Sequence, residues 1–233
     1  MSCNLAMPVA LEFDENLDAF DGEQITLGAM DQGNRAIFET YFNPPGALSL
    51  MIPFFFDRHR STMDSYRRLL MFGALIGSES NGLVETRPDF VLGQTFSWTL
   101  GSRDTDNIRF ALDVLVKLGL YAGAKRAIMP TQPGVDLPLS QATIDEFRQR
   151  LARRPLRMRD LAMSSAHPQG GNAMIGDGSG RIADRVVDQR YRVVGCDNVF
   201  VADASVFPTS ITVNPQWTIM ATSSLAAASV LEA

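Results

Sequence analysis

Two side chains in this sequence have an ordinary pKa suited to proton exchange near neutrality, His59 and His167. His59 stands between Arg58 and Arg60, a charged setting typical of a solvated loop or helix start. His167 stands in Ser165-Ala-His167-Pro-Gln-Gly-Gly, where small residues let a ligand approach closely, and it is the candidate general base. The second polar group of interest is the amide of Asn214, in Val-Asn214-Pro215. The cysteines, Cys3 and Cys196, are far apart and have no C-x-x-C or Cys/His companions, so neither a disulfide scaffold nor a metal site is expected.

These residues need elements to hold them. Val199 to Ala202 is an apolar run short enough for a buried strand, ending on Asp203, and a turn-rich loop leads on to Asn214. Asn is a favoured N-cap, and Pro at the first helical position loses no hydrogen bond, so Asn214-Pro215 reads as a helix start. Trp217, Ile219, Met220 and Leu225 then fall among Ala and Ser as far as Leu231, which predicts a helix packed closely on its neighbours. Taken alone, Asn214 is a helix cap and Asp203 a residue fixing the following turn. The free N–H groups at that helix start also favour an anion, or a group that becomes one.

Earlier in the chain, Val9, Leu11 and Phe13 alternate with polar or small residues as in a strand, and Asp21-Gly22 marks a turn before a strand at Ile25 to Leu27. Arg35 to Tyr41 adds another strand. Asn43-Pro44-Pro45-Gly46 punctuates the chain, and Phe54-Phe55-Phe56 reads as core, with an apolar substrate entrance as the alternative. Ser61 to Phe72 has helical spacing, with Met63, Tyr66, Leu69 and Leu70 on one side. Asn81-Gly82 suggests a hairpin between Ala74-Leu-Ile-Gly and Leu83-Val84, and Phe90 to Leu100 a further strand.

Asp104 or Thr105 caps a helix through Ile108, Leu112, Leu115 and Leu118 toward Gly123. Ser140 to Leu151 is a second amphipathic helix, and the arginines from Arg153 to Arg159 form a basic cluster best read as solvated surface. Strands and helices that do not alternate regularly predict an α+β fold, an antiparallel sheet with helices on one side.

The 233 residues suffice for one large domain or two small ones, and a hydrophobic content of 45% is ordinary for a globular chain. A net charge of −5 with interspersed signs gives no basic footprint for nucleic acid or an anionic membrane, so a small-molecule partner is expected. No apolar run reaches the roughly 18 residues of a membrane span, and the first residues lack the pattern of a secretory signal, so a cytoplasmic location is expected.

Several separated stretches occur together in order: Ser165-Ala-His167-Pro-Gln-Gly-Gly-Asn-Ala-Met, Val-Val-Asp188, Val-Val-Gly195, Asn198-Val-Phe-Val-Ala-Asp203-Ala-Ser-Val-Phe-Pro208 and Val-Asn214-Pro215. From Ser165 to about Val230 the chain resembles the closing section of the glucose-methanol-choline (GMC) family of flavin oxidoreductases. The resemblance implies FAD as cofactor and an alcohol as substrate, oxidised at its CH–OH group. It implies that His167 and Asn214 are the catalytic pair facing flavin and substrate, with His167 as base. Asp203 and Ala204 match the segment contacting the phosphate and ribityl region of FAD, and Pro215, Gln216 and Trp217 the pyrimidine end of its ring. Residues 1–164 correspond to most of a substrate-binding domain, and 165–233 to the catalytic His loop and the strand and helix that return to the flavin domain.

Members of that family begin with a strand, a G-x-G-x-x-G turn and a helix that cradle the pyrophosphate. Gly176-Asp-Gly178-Ser-Gly180 is glycine-rich but is not flanked by a buried strand and an apolar helix, and reads as a turn. The chain is therefore expected to be the C-terminal half or subunit of a larger enzyme, inactive without an N-terminal flavin-binding chain, with apolar surface left uncovered. Two alternatives stay open: a non-catalytic remnant or accessory module binding a partner chain, and a nicotinamide dehydrogenase.

Overall fold

The first strand, β1 (Ser2–Glu12), is buried at every position but its last. In the computed structural model, which describes all residues except 24, 80–81, 89–90, 92, 175–185 and 233, β1 is a central strand and not the alternating one expected. The reason is cover on both faces. Ala10 packs with Leu48, Ile52, Phe54, Leu69, Met71 and Ile128. Its neighbour Leu11, which must point the opposite way, lies against Gly119 of a long helix. Helices thus cover both faces of β1, not one.

The other elements follow as β2 (Gly28–Met30), β3 (Ile37–Thr40), α1 (Pro45–Met51), α2 (Phe56–Met63), β4 (Leu69–Gly77), β5 (Leu83–Thr86), β6 (Gln94–Ser97), α3 (Ser102–Tyr121), β7 (Arg126–Met129), β8 (Val135–Pro138), α4 (Gln141–Arg153), β9 (Pro168–Gln169) and α5 (Gln216–Leu231). The main sheet has the order β2-β3-β4-β1-β7-β8, with β9 paired to β1. The pairings β1–β7, β1–β9, β2–β3, β3–β4 and β7–β8 are antiparallel, as an α+β fold requires. The chain divides into two compact units, one of Leu5–Ile76 and Leu100–Ser164, the other of Met1–Asn4, Gly77–Thr99 and Ser165–Ala233.

In the first of these units α3 and α4 form where their periodicity predicts. Ile108, Leu112 and Leu115 of α3 and Ile144, Phe147 and Leu151 of α4 are buried. Ser140 caps α4 by accepting from the Thr143 N–H at 3.2 Å. Asp104 serves α3 from inside its first turn, its carboxylate accepting from the Gly101 N–H at 3.1 Å. The basic cluster is partly tied down: Arg154 and Arg157 both donate to Asp160, at 3.2 and 3.3 Å.

Three stretches differ from expectation there. The second strand lies at Gly28–Met30 instead of Ile25 to Leu27: Ile25 has φ +52, outside extended backbone, and Leu27 reaches the sheet through its carbonyl, which accepts the Thr40 N–H. The helix over Ser61 to Phe72 ends at Met63, and Leu69 onward is strand β4. Short apolar runs fit both periods, and burial between β3 and β1 decided this one. Phe54 is core, whereas Phe55 and Phe56 are exposed at the start of α2, Phe56 at 91%.

In the other unit β5 pairs with β6, from Leu83 opposite Ser97 to Thr86 opposite Gln94, so β5 has its own hairpin partner and does not return along β4. Asn81 and Phe90 lie outside the described residues. Val187, Tyr191, Ala204, Val206, Phe207 and Ala226 form a small core. Val199 to Ala202 is not a buried strand. Its backbone joins the Tyr191–Val193 segment through the Val193 N–H to Val199 O and the Val201 N–H to Tyr191 O, Phe200 forms one bridge with Arg192, and Val199 is exposed. A strand persists only where a ladder of such bonds continues.

Helix α5 also differs. Its apolar residues lie all round, and one stripe, with Ile219 and Ala226, reaches the small core. Trp217, Met220, Leu225, Val230 and Leu231 are exposed. Pro215 holds the capping position with helical dihedrals, one residue beyond the expected Asn214.

Candidate active site

His167 sits where the chain turns into β9, whose two residues pair with the start of β1, Cys3 opposite Pro168 and Ser2 opposite Gln169. That pairing anchors the loop, and the His167 N–H closes it locally on Ser165 Oγ at 3.2 Å. The imidazole is half-buried. Its Nδ1 lies 2.8 Å from Oδ1 of Asn4. Asn4 is 0% exposed, and its Nδ2 donates to the carbonyl of Val213 at 3.1 Å. One buried amide therefore holds the His167 ring on one side and the peptide leading into Asn214 on the other.

Burial holds the His167 pKa below the ordinary histidine value of 6.5. The ring is consequently neutral at neutral pH, the state in which one ring nitrogen can accept a proton. His59 is differently placed, in α2, with Nε2 2.8 Å from the Ser49 carbonyl, a contact that occupies it within its own helix pair.

Beyond β9 the His167 loop runs along the turn after Asp203. Gly170 donates its N–H to Ala204 O at 3.2 Å, Asn172 to Ser205 O at 2.9 Å, and Met174 to Val206 O at 2.8 Å. Gly170 has φ +71, and a Cβ there would stand 2.7 Å from Ser2 Oγ and 3.2 Å from Phe207 O, so both conformation and space require glycine. Asn172 Nδ2 also donates to Ser205 Oγ, at 2.9 Å. Asp203 accepts the Ser205 N–H at 2.7 Å, capping the short 3₁₀ turn Ala204–Val206. Asp203 therefore has the turn-fixing role that its residue type suggests, with its side chain exposed and Ala204 buried beneath.

Gln169 ties the same loop to the approach of Asn214, its Oε1 accepting the Ile211 N–H at 3.1 Å. Its Nε2 and the neighbouring Ser2 Oγ are buried with no hydrogen-bond partner among the described residues. Pro215 is buried, while Gln216 and Trp217 open α5 on the surface, Trp217 at 81% exposure. The loop carrying His167 and the segments carrying Asp203, Ala204 and Asn214 are thus linked by direct hydrogen bonds. Among the described residues, Gln216 and Trp217 join them through the helix start.

Asn4, Gln169, Asn172 and Ser205 were not singled out by sequence. The one available signal was Asn4, a polar residue of low strand propensity directly before the apolar run from Leu5. Gly176 to Gly180 lies outside the described residues. Among those described, no group of three or more His, Cys, Asp or Glu is placed to hold a metal ion, and no helix is long and apolar enough to cross a membrane.

A family model described as GMC oxidoreductase matches residues 94–223. Uncharacterized GMC-type oxidoreductase Rv0492c of Mycobacterium tuberculosis (strain ATCC 25618 / H37Rv) is 26% identical over 214 residues, which cover 90% of this chain and 32% of that protein. Long-chain-alcohol oxidase FAO4A of Arabidopsis thaliana is 27% identical over 184 residues, covering 75% of this chain and 23% of the relative. The crystal structure of pyridoxine 4-oxidase from Mesorbium loti is similar in fold, with a TM-score of 0.62 at 18% identity, covering all of this chain and 43% of that one. The chain thus spans a third or less of the length of these two sequence relatives.

Proposed function

The chain belongs to the GMC oxidoreductase family, and from that premise we propose that it supplies the proton-accepting part of an FAD-dependent oxidoreductase acting on the CH–OH group of an alcohol. The observation that carries this reading is the His167 imidazole, kept neutral by burial and linked through Asn4 to the segment that presents Asn214. The name of the Arabidopsis relative, a long-chain-alcohol oxidase, supports an alcohol as donor.

The residues present fit one end of a flavin. The first N–H groups of α5 have no acceptor within the helix and open at exposed Gln216 and Trp217, and Gln169 Nε2, without a partner among the described residues, lies in the same set of linked segments. Pro215, Gln216 and Trp217 would hold the pyrimidine end, with Asp203 and Ala204 toward the ribityl and phosphate region. Bound FAD supplies the hydride acceptor that no side chain can provide.

His167 takes the hydroxyl proton of the alcohol as the hydride leaves the adjacent carbon, so that a carbonyl product forms and the ring becomes imidazolium. Asn214 orients the reacting oxygen through its amide. The N-terminal end of α5 would favour negative charge on a group held against it. An N-terminal flavin-binding part, on the same or a separate chain, would cradle the pyrophosphate and cover the exposed face of α5. On this reading residues 165–233 face the flavin and 1–164 contribute to the substrate domain.

The test is the visible absorption spectrum of the purified chain, alone, with free FAD, and with an N-terminal flavin-binding partner. Flavin bands that appear with the partner, and bleach when alcohol is added, are the expected result. No bands under any condition would overturn it in favour of a non-catalytic module.

A further inference from the structure

We propose that Asn4 is a positioning residue for His167, locking the neutral ring as the Nδ1–H tautomer and so leaving the Nε2 lone pair as the proton acceptor. The inference rests on the reading of His167 as base, and it names the atom that does the work and the group that selects it.

Backbone chemistry dictates the assignment. The Val213 carbonyl can only accept, so the Asn4 group 3.1 Å from it must be the donor, Nδ2. Oδ1 then faces the ring, 2.8 Å from Nδ1. An amide oxygen can only accept, so Nδ1 must carry the hydrogen. Asn4 is fully buried, and turning its amide over would set an oxygen against the Val213 carbonyl, two acceptors with no hydrogen between them. Leaving such buried groups unpaired is costly, so the amide has one orientation and the ring one tautomer.

The arrangement suits a base that must load and unload without moving. Nδ1 carries its hydrogen in both the neutral ring and the imidazolium, so its bond to Asn4 survives protonation at Nε2. A carboxylate at position 4 would favour the imidazolium and hold the ring charged. The neutral amide fixes the tautomer without adding that charge. Because the same amide grips the Val213 peptide, it also sets the ring against the segment that presents Asn214.

The test is imidazole ¹⁵N NMR of the full chain labelled at histidine, at a pH of about 8, where the ring is neutral. The chain has two histidines, so a His167→Gln spectrum assigns the signals. Predominantly Nδ1–H His167 in the wild type is expected, and predominantly Nε2–H would overturn the proposal outright, whether or not any variant folds. Asn4→Ala should shift the ring toward Nε2–H, the form favoured by histidine in water, and an unchanged tautomer in a folded Asn4→Ala chain would also overturn it. Asn4→Asp, which keeps an acceptor at the ring, should restore Nδ1–H and raise the titration midpoint, and Nε2–H in that variant counts against it. The two readings fail separately. An Nδ1–H ring alongside undiminished turnover of His167→Ala in the completed enzyme keeps the role of Asn4 and discards the base, while an Nε2–H ring with turnover lost does the reverse.

Discussion

The His167 ring and the Asn4 amide meet at 2.8 Å across 163 residues of sequence, and the second arm of that amide ends on Val213, 209 residues from Asn4. A strand near one end of the chain thereby governs the geometry of a loop and a helix start near the other.

If His167 is the base, His167→Ala in the flavin-completed enzyme lowers the rate of flavin reduction by alcohol about a hundredfold or more. Stopped-flow bleaching of the flavin bands measures this, and a wild-type rate would remove His167 from the chemistry.

Asn214→Ala is expected to lower the same rate by about a hundredfold, the loss that follows removal of one oriented hydrogen-bond group. A rate unchanged by the substitution would leave Asn214 with a structural role before α5.

Burial lowers the His167 pKa, so across the window just below 6.5 the unfolded chain binds more protons than the folded one. Stability therefore falls as pH drops below 6.5 and is insensitive to this group above it. Urea midpoints measured through that window should slope less in His167→Gln than in the wild type, and identical slopes would contradict the prediction.

A Cβ at Gly77 would stand 2.8 Å from Thr212 Oγ1 and 3.3 Å from the Thr212 backbone. Gly77→Ala should therefore displace the segment before Asn214 and cost about 1–3 kcal/mol, as overpacking does. Thermal melts and the amide resonances of Thr212 to Asn214 report this. Unmoved resonances would mean that the backbone relaxes elsewhere.

The exposed apolar side chains of α5 predict that the chain alone self-associates as concentration rises. Sedimentation velocity should show the association, with Leu225→Glu reducing it. A wild type that stays monomeric throughout would show that this face is tolerated by solvent.

Local sequence carried α3 and α4, because each has enough turns for its apolar period to be unambiguous and a polar group to satisfy its first N–H groups. It carried His167 and Asn214 as candidates too, since residue chemistry and the ordered motifs around them need no coordinates. It did not carry β4, whose apolar run fits helix and strand equally until neighbours β3 and β1 are known. Nor did it carry the covering of β1 on both faces, or the exposure of Phe55, Phe56 and most of α5. Composition says how apolar a segment is. What lies against each face, and which nitrogen of His167 keeps its hydrogen, depend on residues distant in sequence, and those contacts exist only once the chain has folded.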